Sequence, residues 1–167
     1  MNEIKRMNDY VAIYKEQLAK GDIQVAYERL LKYMMSLKAQ FTKVFSDKYQ
    51  TGNVSPGYMD FTYFPFFDDF LRTEKLRFGI VLNHEKIRFE LWLMGQNAET
   101  QNKYWNLLKT TKWNKEQNAM PKYSVLEVAL VENPDFNELD MLAEQILKTA
   151  DSISEEVLHF IKLGIKG

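Results

Sequence analysis

Ile4, Met7, Val11, Tyr14 and Leu18 recur at three- and four-residue spacings, which lines them along one face of a helix. Gly21 ends that helix. Asp22 is placed to cap a second one, whose stripe of Ala26, Leu30, Tyr33, Met34, Leu37, Phe41 and Val44 is wide enough to bury against a sheet or against the first helix. The two are expected to form an antiparallel pair. Between Ser46 and Gly57 the periodicity stops, and Gly52, Asn53, Pro56 and Gly57 supply the chemistry of a surface loop entering a strand.

From there the period changes to two. A strand is expected over 58–65, a short helical or turn segment over 66–74, and then a hairpin of residues 76–83 and 87–94 around His84-Glu85. Setting Leu82 against Ile87 places Ile80 opposite Phe89 and Phe78 opposite Leu91, so one face is wholly apolar. The other face then pairs Val81 with Arg88, Gly79 with Glu90 and Arg77 with Trp92. A guanidinium over the Trp92 ring would contribute roughly 0.5–1 kcal/mol at an exposed site, and Gly79 would leave room for the Glu90 side chain or another occupant.

Gly95 ends the hairpin, and Asn97 or Thr100 can cap a helix through Lys109 with Tyr104, Leu107, Leu108 and Trp105 turned inward. A polar loop over 113–122 leads to a fourth strand over 123–132. Leu126, Val128 and Leu130 lie on one of its faces; Val125, Glu127, Ala129 and Val131 lie on the other. After the stop Asn133-Pro134-Asp135, two closing helices are expected over 137–150 and 152–163, the second opened by a capping box of Ser152 and Glu155. The whole reads as a single α+β domain over 1–167. It has about four mainly antiparallel strands, an N-terminal helical pair, one inserted helix and two C-terminal helices.

Composition narrows the function classes. The 167 residues are 46% hydrophobic, enough for one domain with its own core. Its 22 basic and 23 acidic residues leave no net basic footprint, and Lys5-Arg6 is an isolated pair, which argues against nucleic acid and anionic membranes as partners. Zero cysteines exclude disulfides, thiolate catalysis and cysteine-held metals, and fit a reducing cytoplasm. The N-terminus lacks the apolar core of a secretory signal, and no segment approaches a membrane span. A cytoplasmic protein is the expectation.

The segments Gly57-Tyr58-Met59-Asp60-x-Thr62-Tyr63-Phe64, Phe89-Glu90-x-Trp92-Leu93-x-Gly95-x-Asn97, Gln101 and Tyr104-Trp105 resemble a family of small uncharacterised bacterial proteins. The resemblance covers most of the chain and implies a class and a bacterial cytoplasmic origin, with no mechanism attached. The order helix, three strands, helix, strand is also similar to the core of restriction-endonuclease-like nucleases, which implies an Asp on the second core strand and Glu-x-Lys on the third. Here the third strand reads Glu90-Leu91-Trp92 and the second carries no acid, so that likeness implies at most a degenerate fold without nuclease activity.

Polar side chains inside apolar strands mark where chemistry can be sought, because a buried charge needs a partner. Glu90 is either one half of an ion pair with Arg88, Arg77 or a basic residue of a covering helix, or a general base or ligand anchor beside Trp92. Asp60, sharing a strand face with Tyr58 and Thr62, would form a carboxylate pair with Glu90 if one pocket reached both; otherwise it accepts local hydrogen bonds. Tyr58, Tyr63, Trp92, Tyr104 and Trp105 are candidates for an aromatic wall, and Gln96, Asn97 and Gln101 for amides that orient a ligand or cap a helix. With only His84 and His159, no histidine metal site is expected, and Asp68-Asp69 reads as a solvated turn or helix start. No motif names a cofactor. The reading is a non-catalytic binding or interaction domain with candidate residues Asp60, Arg77, Arg88, Glu90, Trp92, Tyr58, Gln101 and Tyr104. A small-molecule enzyme using Glu90 or Asp60 as acid/base is the alternative. A small molecule, a protein or a second copy of the chain would be the partner.

Overall fold

In the computed structural model, which describes residues 3–166, the elements run α1 (Met7–Lys20), α2 (Asp22–Val44), β1 (Gln50–Thr51), β2 (Phe61–Phe67), α3 (Asp69–Thr73), β3 (Leu76–Asn83), β4 (Arg88–Gly95), α4 (Ala98–Leu108), β5 (Leu126–Val131) and α5 (Leu139–Lys166). The five strands form one antiparallel sheet in sequential order. The domain is α+β, as its patterning implies.

The sheet has two unlike faces. Phe64, Phe66, Phe78, Ile80, Leu82, Phe89, Leu91 and Leu93 point to one side and join Met34, Leu37 and Phe41 of α2, Leu71 of α3, Tyr104 and Leu108 of α4 and the α5 stripe in a single core. On the other side Val81, Trp92 and Met94 form a smaller cluster with Phe61 and Tyr63 against it. The helices therefore cover one face, and the second is left to its own side chains and to loops.

Several local expectations are corrected. The hairpin pairs Leu82 with Phe89, Ile80 with Leu91 and Phe78 with Leu93, two residues displaced from the register set by Leu82 and Ile87. Ile87 belongs to the turn: its φ is 46°, and Asn83 Oδ1 accepts the Lys86 N–H at 3.1 Å to close it. A shift of two preserves side-chain parity, so the apolar face survives although every partner changes. Gly79 thus faces Trp92, not Glu90, and Arg77 faces Met94, not Trp92. A side chain at Gly79 would lie 2.8 Å from the Met94 methyl, so the supposed gap is filled.

The first long strand starts at Phe61 rather than Tyr58, because Met59 takes a left-handed φ of 62°. It continues through Pro65 to Phe67 and pairs with β1, a two-residue strand inside the stretch read as loop. Pro65 is tolerated because odd positions of β2 bond the 52–55 segment rather than β3. Gly52 is required there, since a Cβ would sit 2.5 Å from the Pro65 ring. Asp68 caps α3 by accepting the Leu71 N–H at 2.8 Å, and Asn97 caps α4 through the Thr100 N–H at 2.9 Å.

Gly21, with φ 81°, ends α1 and also serves as the N-cap of α2, so Asp22 lies in the first turn instead of capping it. No residue of α1 is buried, and Met7, Val11 and Tyr14 stand exposed. The two expected closing helices are one. Ala150 and Ser154 carry the buried stripe from Ile146 to Val157, and the Ser154 hydroxyl donates to Ala150 O at 2.6 Å. Ser152 and Glu155 form no cap; Asp151 and Glu155 both hold Lys48.

A β-branched residue in the left-handed region costs about 1–2 kcal/mol, and Ile87 is exposed enough to lose little packing. Ile87→Asn should therefore raise the unfolding free energy by about 1 kcal/mol in urea denaturation.

Candidate functional site

The second sheet face holds a buried charge. Glu90, 1% exposed, lies mid-strand on β4 and points to the side that the helices do not cover. Its Oε1 accepts the Trp92 indole N–H at 2.8 Å, and its Oε2 accepts Asn83 Nδ2 at 3.1 Å and Arg88 Nε at 2.5 Å. Arg88 also approaches Glu132 at 3.6 Å. Both carboxylate oxygens are thus occupied by donors from the same hairpin, as a buried acid requires. Of the three partners considered for Glu90, the structure provides Arg88.

Beside this cluster opens a pocket of about 300 Å³. Phe61, Tyr63, Trp92, Met94 and Tyr123 form its walls, and Asp60 and Arg77 supply its charges. Phe61 meets the Trp92 ring edge-on at 4.8 Å between centroids and lies 6.4 Å from Tyr123. Trp92 is 3% exposed and pinned to Glu90, so it forms a fixed floor and leaves most of the accessible wall to Phe61, Tyr63 and Tyr123. Arg77 is exposed, with its guanidinium 6.0 Å from the Tyr63 ring and Nη2 at 3.4 Å from the Tyr63 hydroxyl.

Asp60 and Glu90 do not form the carboxylate pair that one shared pocket would have allowed. Asp60 Oδ1 accepts the N–H groups of Tyr58 and Phe61 at 2.8 and 2.7 Å, and these bonds hold its carboxyl below the usual range. The carboxylate beside Glu90 is instead Glu127, opposite Trp92 on β5. Burial raises the Glu127 carboxyl, with the Glu90 charge adding to the rise, against a 2.9 Å bond from the Ser124 hydroxyl.

The remaining candidates separate. Tyr58 is 96% exposed. Gln101 Oε1 accepts the Gly95 N–H at 2.7 Å and ties α4 to the end of β4. Tyr104 is in the core on the opposite face, its hydroxyl donating to Glu74 Oε2 at 2.6 Å, and burial followed by that carboxylate pushes its pKa up. Asp60, Arg77 and Trp92 therefore line one pocket, Arg88 and Glu90 stand behind it, and Gln101 and Tyr104 belong to the scaffold.

His84 closes the hairpin end of the site. Its N–H donates to Asp60 O at 3.0 Å, and its ring lies 5.9 Å from Tyr27. Thr62 Oγ1 donates to Pro56 O at 2.7 Å, so it accepts from His84 Nε2, also at 2.7 Å, which assigns a proton to that nitrogen. Burial lowers the His84 pKa, opposed by Asp60.

Sequence reasoning missed Phe61, Met94 and Tyr123 as walls, Glu127 as the second acid, and a neighbouring cleft of about 350 Å³ lined by Arg72, Lys75, Arg77 and Gln96. The close spacing of Arg72, Lys75 and Arg77 was the available signal for the last. Among the described residues, no group of three or more His, Asp or Glu side chains is placed to hold a metal, and no helix is long and apolar enough to cross a membrane.

The fold and site define an α+β domain with an aromatic pocket on the outer face of an antiparallel sheet. The chain belongs to the family described as Domain of unknown function (DUF7000), which matches residues 7–161. No curated protein and no solved structure matches it.

Glu90→Gln should lower the unfolding free energy by roughly 3 kcal/mol at neutral pH, since Arg88 is left beside a neutral amide in a buried site. Glu132→Gln, at the exposed end of the same arginine, should cost less than about 0.5 kcal/mol; chemical denaturation of both variants compares them. For His84, a depressed folded-state pKa means that the unfolded chain binds more protons as pH falls through the ordinary histidine range. Stability contributed by neutral His84 is therefore present above that range and lost below it. The stability difference between the parent and His84→Gln should shrink as urea titrations move from pH 7.5 to pH 5.5.

Proposed function

We propose that the protein is a non-catalytic binding domain of the bacterial cytoplasm that takes a small molecule with a planar ring in the pocket between Trp92, Phe61, Tyr63 and Tyr123. The observation that carries this reading is the orientation of the Trp92 ring, locked by Glu90 at the floor of an open pocket of about 300 Å³. An aromatic floor held rigid before a ligand arrives loses little conformational entropy on binding. Bacterial and cytoplasmic origin rest on the likeness of the sequence motifs and on a composition free of cysteine.

An acid/base enzyme fits the same residues less well. Glu90 is almost wholly buried with both oxygens engaged, and Asp60 is held as an anion by two backbone N–H groups. Glu90 therefore has no free lone pair for a substrate, and Asp60, whose Oδ2 is open, has its carboxyl lowered below the usual range and is a weak base at neutral pH. A nuclease-like role has still less support, since β3 carries no acid and Trp92 stands where a lysine would be needed.

Phenol is a suitable first probe. Titrated against isotope-labelled protein, it should move the Trp92 indole N–H and the amides of Phe61, Tyr63 and Tyr123 saturably. Tyr123→Ala, which removes an exposed wall, should weaken binding severalfold. Scattered or absent shifts would remove the basis for the reading.

A further inference from the structure

The aromatic pocket and the neighbouring basic cleft share two lining residues, Arg77 and Gly95. The cleft lies where β2 and β4 end and β3 begins, and its lining includes Arg72, Lys75, Arg77 and Gln96 but no carboxylate. Among the described residues, none of these three cations has an acidic side chain within 4.0 Å. Glu74, the acid next to Lys75 in sequence, is turned to the Tyr104 hydroxyl and to Lys103 instead. In a chain of net charge −1, three unneutralised cations around one cleft form a local feature rather than a consequence of composition.

Two of the three are positioned before any ligand arrives. Arg72 lies 5.0 Å from the Phe67 ring and donates Nη2 to Gln50 Oε1 at 2.7 Å, which leaves most of its donors free. Arg77 is braced on Tyr63. Lys75 follows the end of α3 in the left-handed conformation that closes helices, with φ 58°, and its carbonyl accepts the Gln96 N–H at 2.9 Å, so the backbone that carries this side chain into the cleft is held from both sides.

Resting on the proposed pocket, we propose that the ligand is a phosphate ester of a ring-bearing small molecule: the ring lies in the aromatic pocket, Arg77 spans the junction, and the phosphoryl group sits among Arg72, Lys75 and Arg77. Planar guanidinium forks match phosphoryl oxygens in pairs, and the lysine adds a point charge.

Three probes separate the parts: phenol, inorganic phosphate and phenyl phosphate, each titrated by amide shift perturbation at fixed ionic strength. Phenyl phosphate should bind about tenfold more tightly than either fragment and move both the Trp92 indole and the Lys75 and Gln96 amides. Arg72→Gln and Lys75→Gly should bring phenyl phosphate down to the affinity of phenol while leaving phenol unchanged. Lys75→Gly should also unfold at an equal or higher temperature than the parent, which separates loss of affinity from loss of fold. Equal binding of phenol and phenyl phosphate would overturn the phosphoryl assignment and leave the aromatic pocket standing. Phosphate binding without any phenol binding would overturn the bridged ligand and the pocket reading together, as would silence from all three probes.

Discussion

The outer face of the sheet depends on the satisfaction of one buried carboxylate. An unpartnered anion at the depth of Glu90 would be prohibitively costly, so the hairpin must supply its own donors, and it does so within a short span: Asn83 at the end of β3, Arg88 at the start of β4, and Trp92 two residues beyond Glu90 on the same face. Those bonds fix more than the acid. They orient the Trp92 ring, and through it the Phe61 edge contact and the floor of the pocket. They also reward one β3–β4 register, because displacing the pairing would move Asn83 away from Glu90. The helix-covered face contributes burial. The outer face contributes specificity of pairing.

How legible this was follows from the parity of strands. Alternation assigns each side chain to a face regardless of partner, so the apolar face of Phe78, Ile80 and Leu82 and the polar membership of Glu90, Trp92 and Arg77 could be read directly. Partners could not, since they depend on how many residues the turn consumes, and Ile87 looks like a strand residue while occupying a left-handed turn position. Helix α5 was divided because Ser152 and Glu155 match the spacing of a capping box, a pattern that does not distinguish a helix start from a helix interior. The stripe crosses 150–154 on Ala150 and Ser154, small residues whose burial carries no apolar signal. Helix α1 was the converse case: its periodicity is genuine, but periodicity marks amphipathic shape and says nothing of whether a partner covers it.

The site was partly legible on the same terms. Asp60 and Arg77 could be nominated because each breaks an apolar run, and Trp92 because alternation sets its ring beside Glu90; the three converge on one pocket. Gln101 and Tyr104 were nominated by neighbourhood alone; a helix rotates its side chains through all directions, and α4 turns Tyr104 into the core. Tyr123 and Glu127 arrive from β5 and the loop before it, across a sheet edge whose register no local pattern encodes, and Arg72 and Lys75 are brought to the sheet end by the short helix α3.

The three carboxylates Asp60, Glu90 and Glu127 also bear on whether chemistry could occur here. A working acid and base need opposite displacements of pKa and common access to a substrate. Glu127 is displaced upward and Asp60 downward, so the first condition is met in sign. The second is not, because Asp60 lines the pocket while Glu127 bonds Ser124 and, like Glu90, lies outside its lining. Asp60 and Arg77 are the exposed charges of that lining, and among the described residues neither forms an ion pair. Glu90 and Glu127 are thus engaged by structural partners, while Asp60 and Arg77 bring one charge of each sign to the pocket lining.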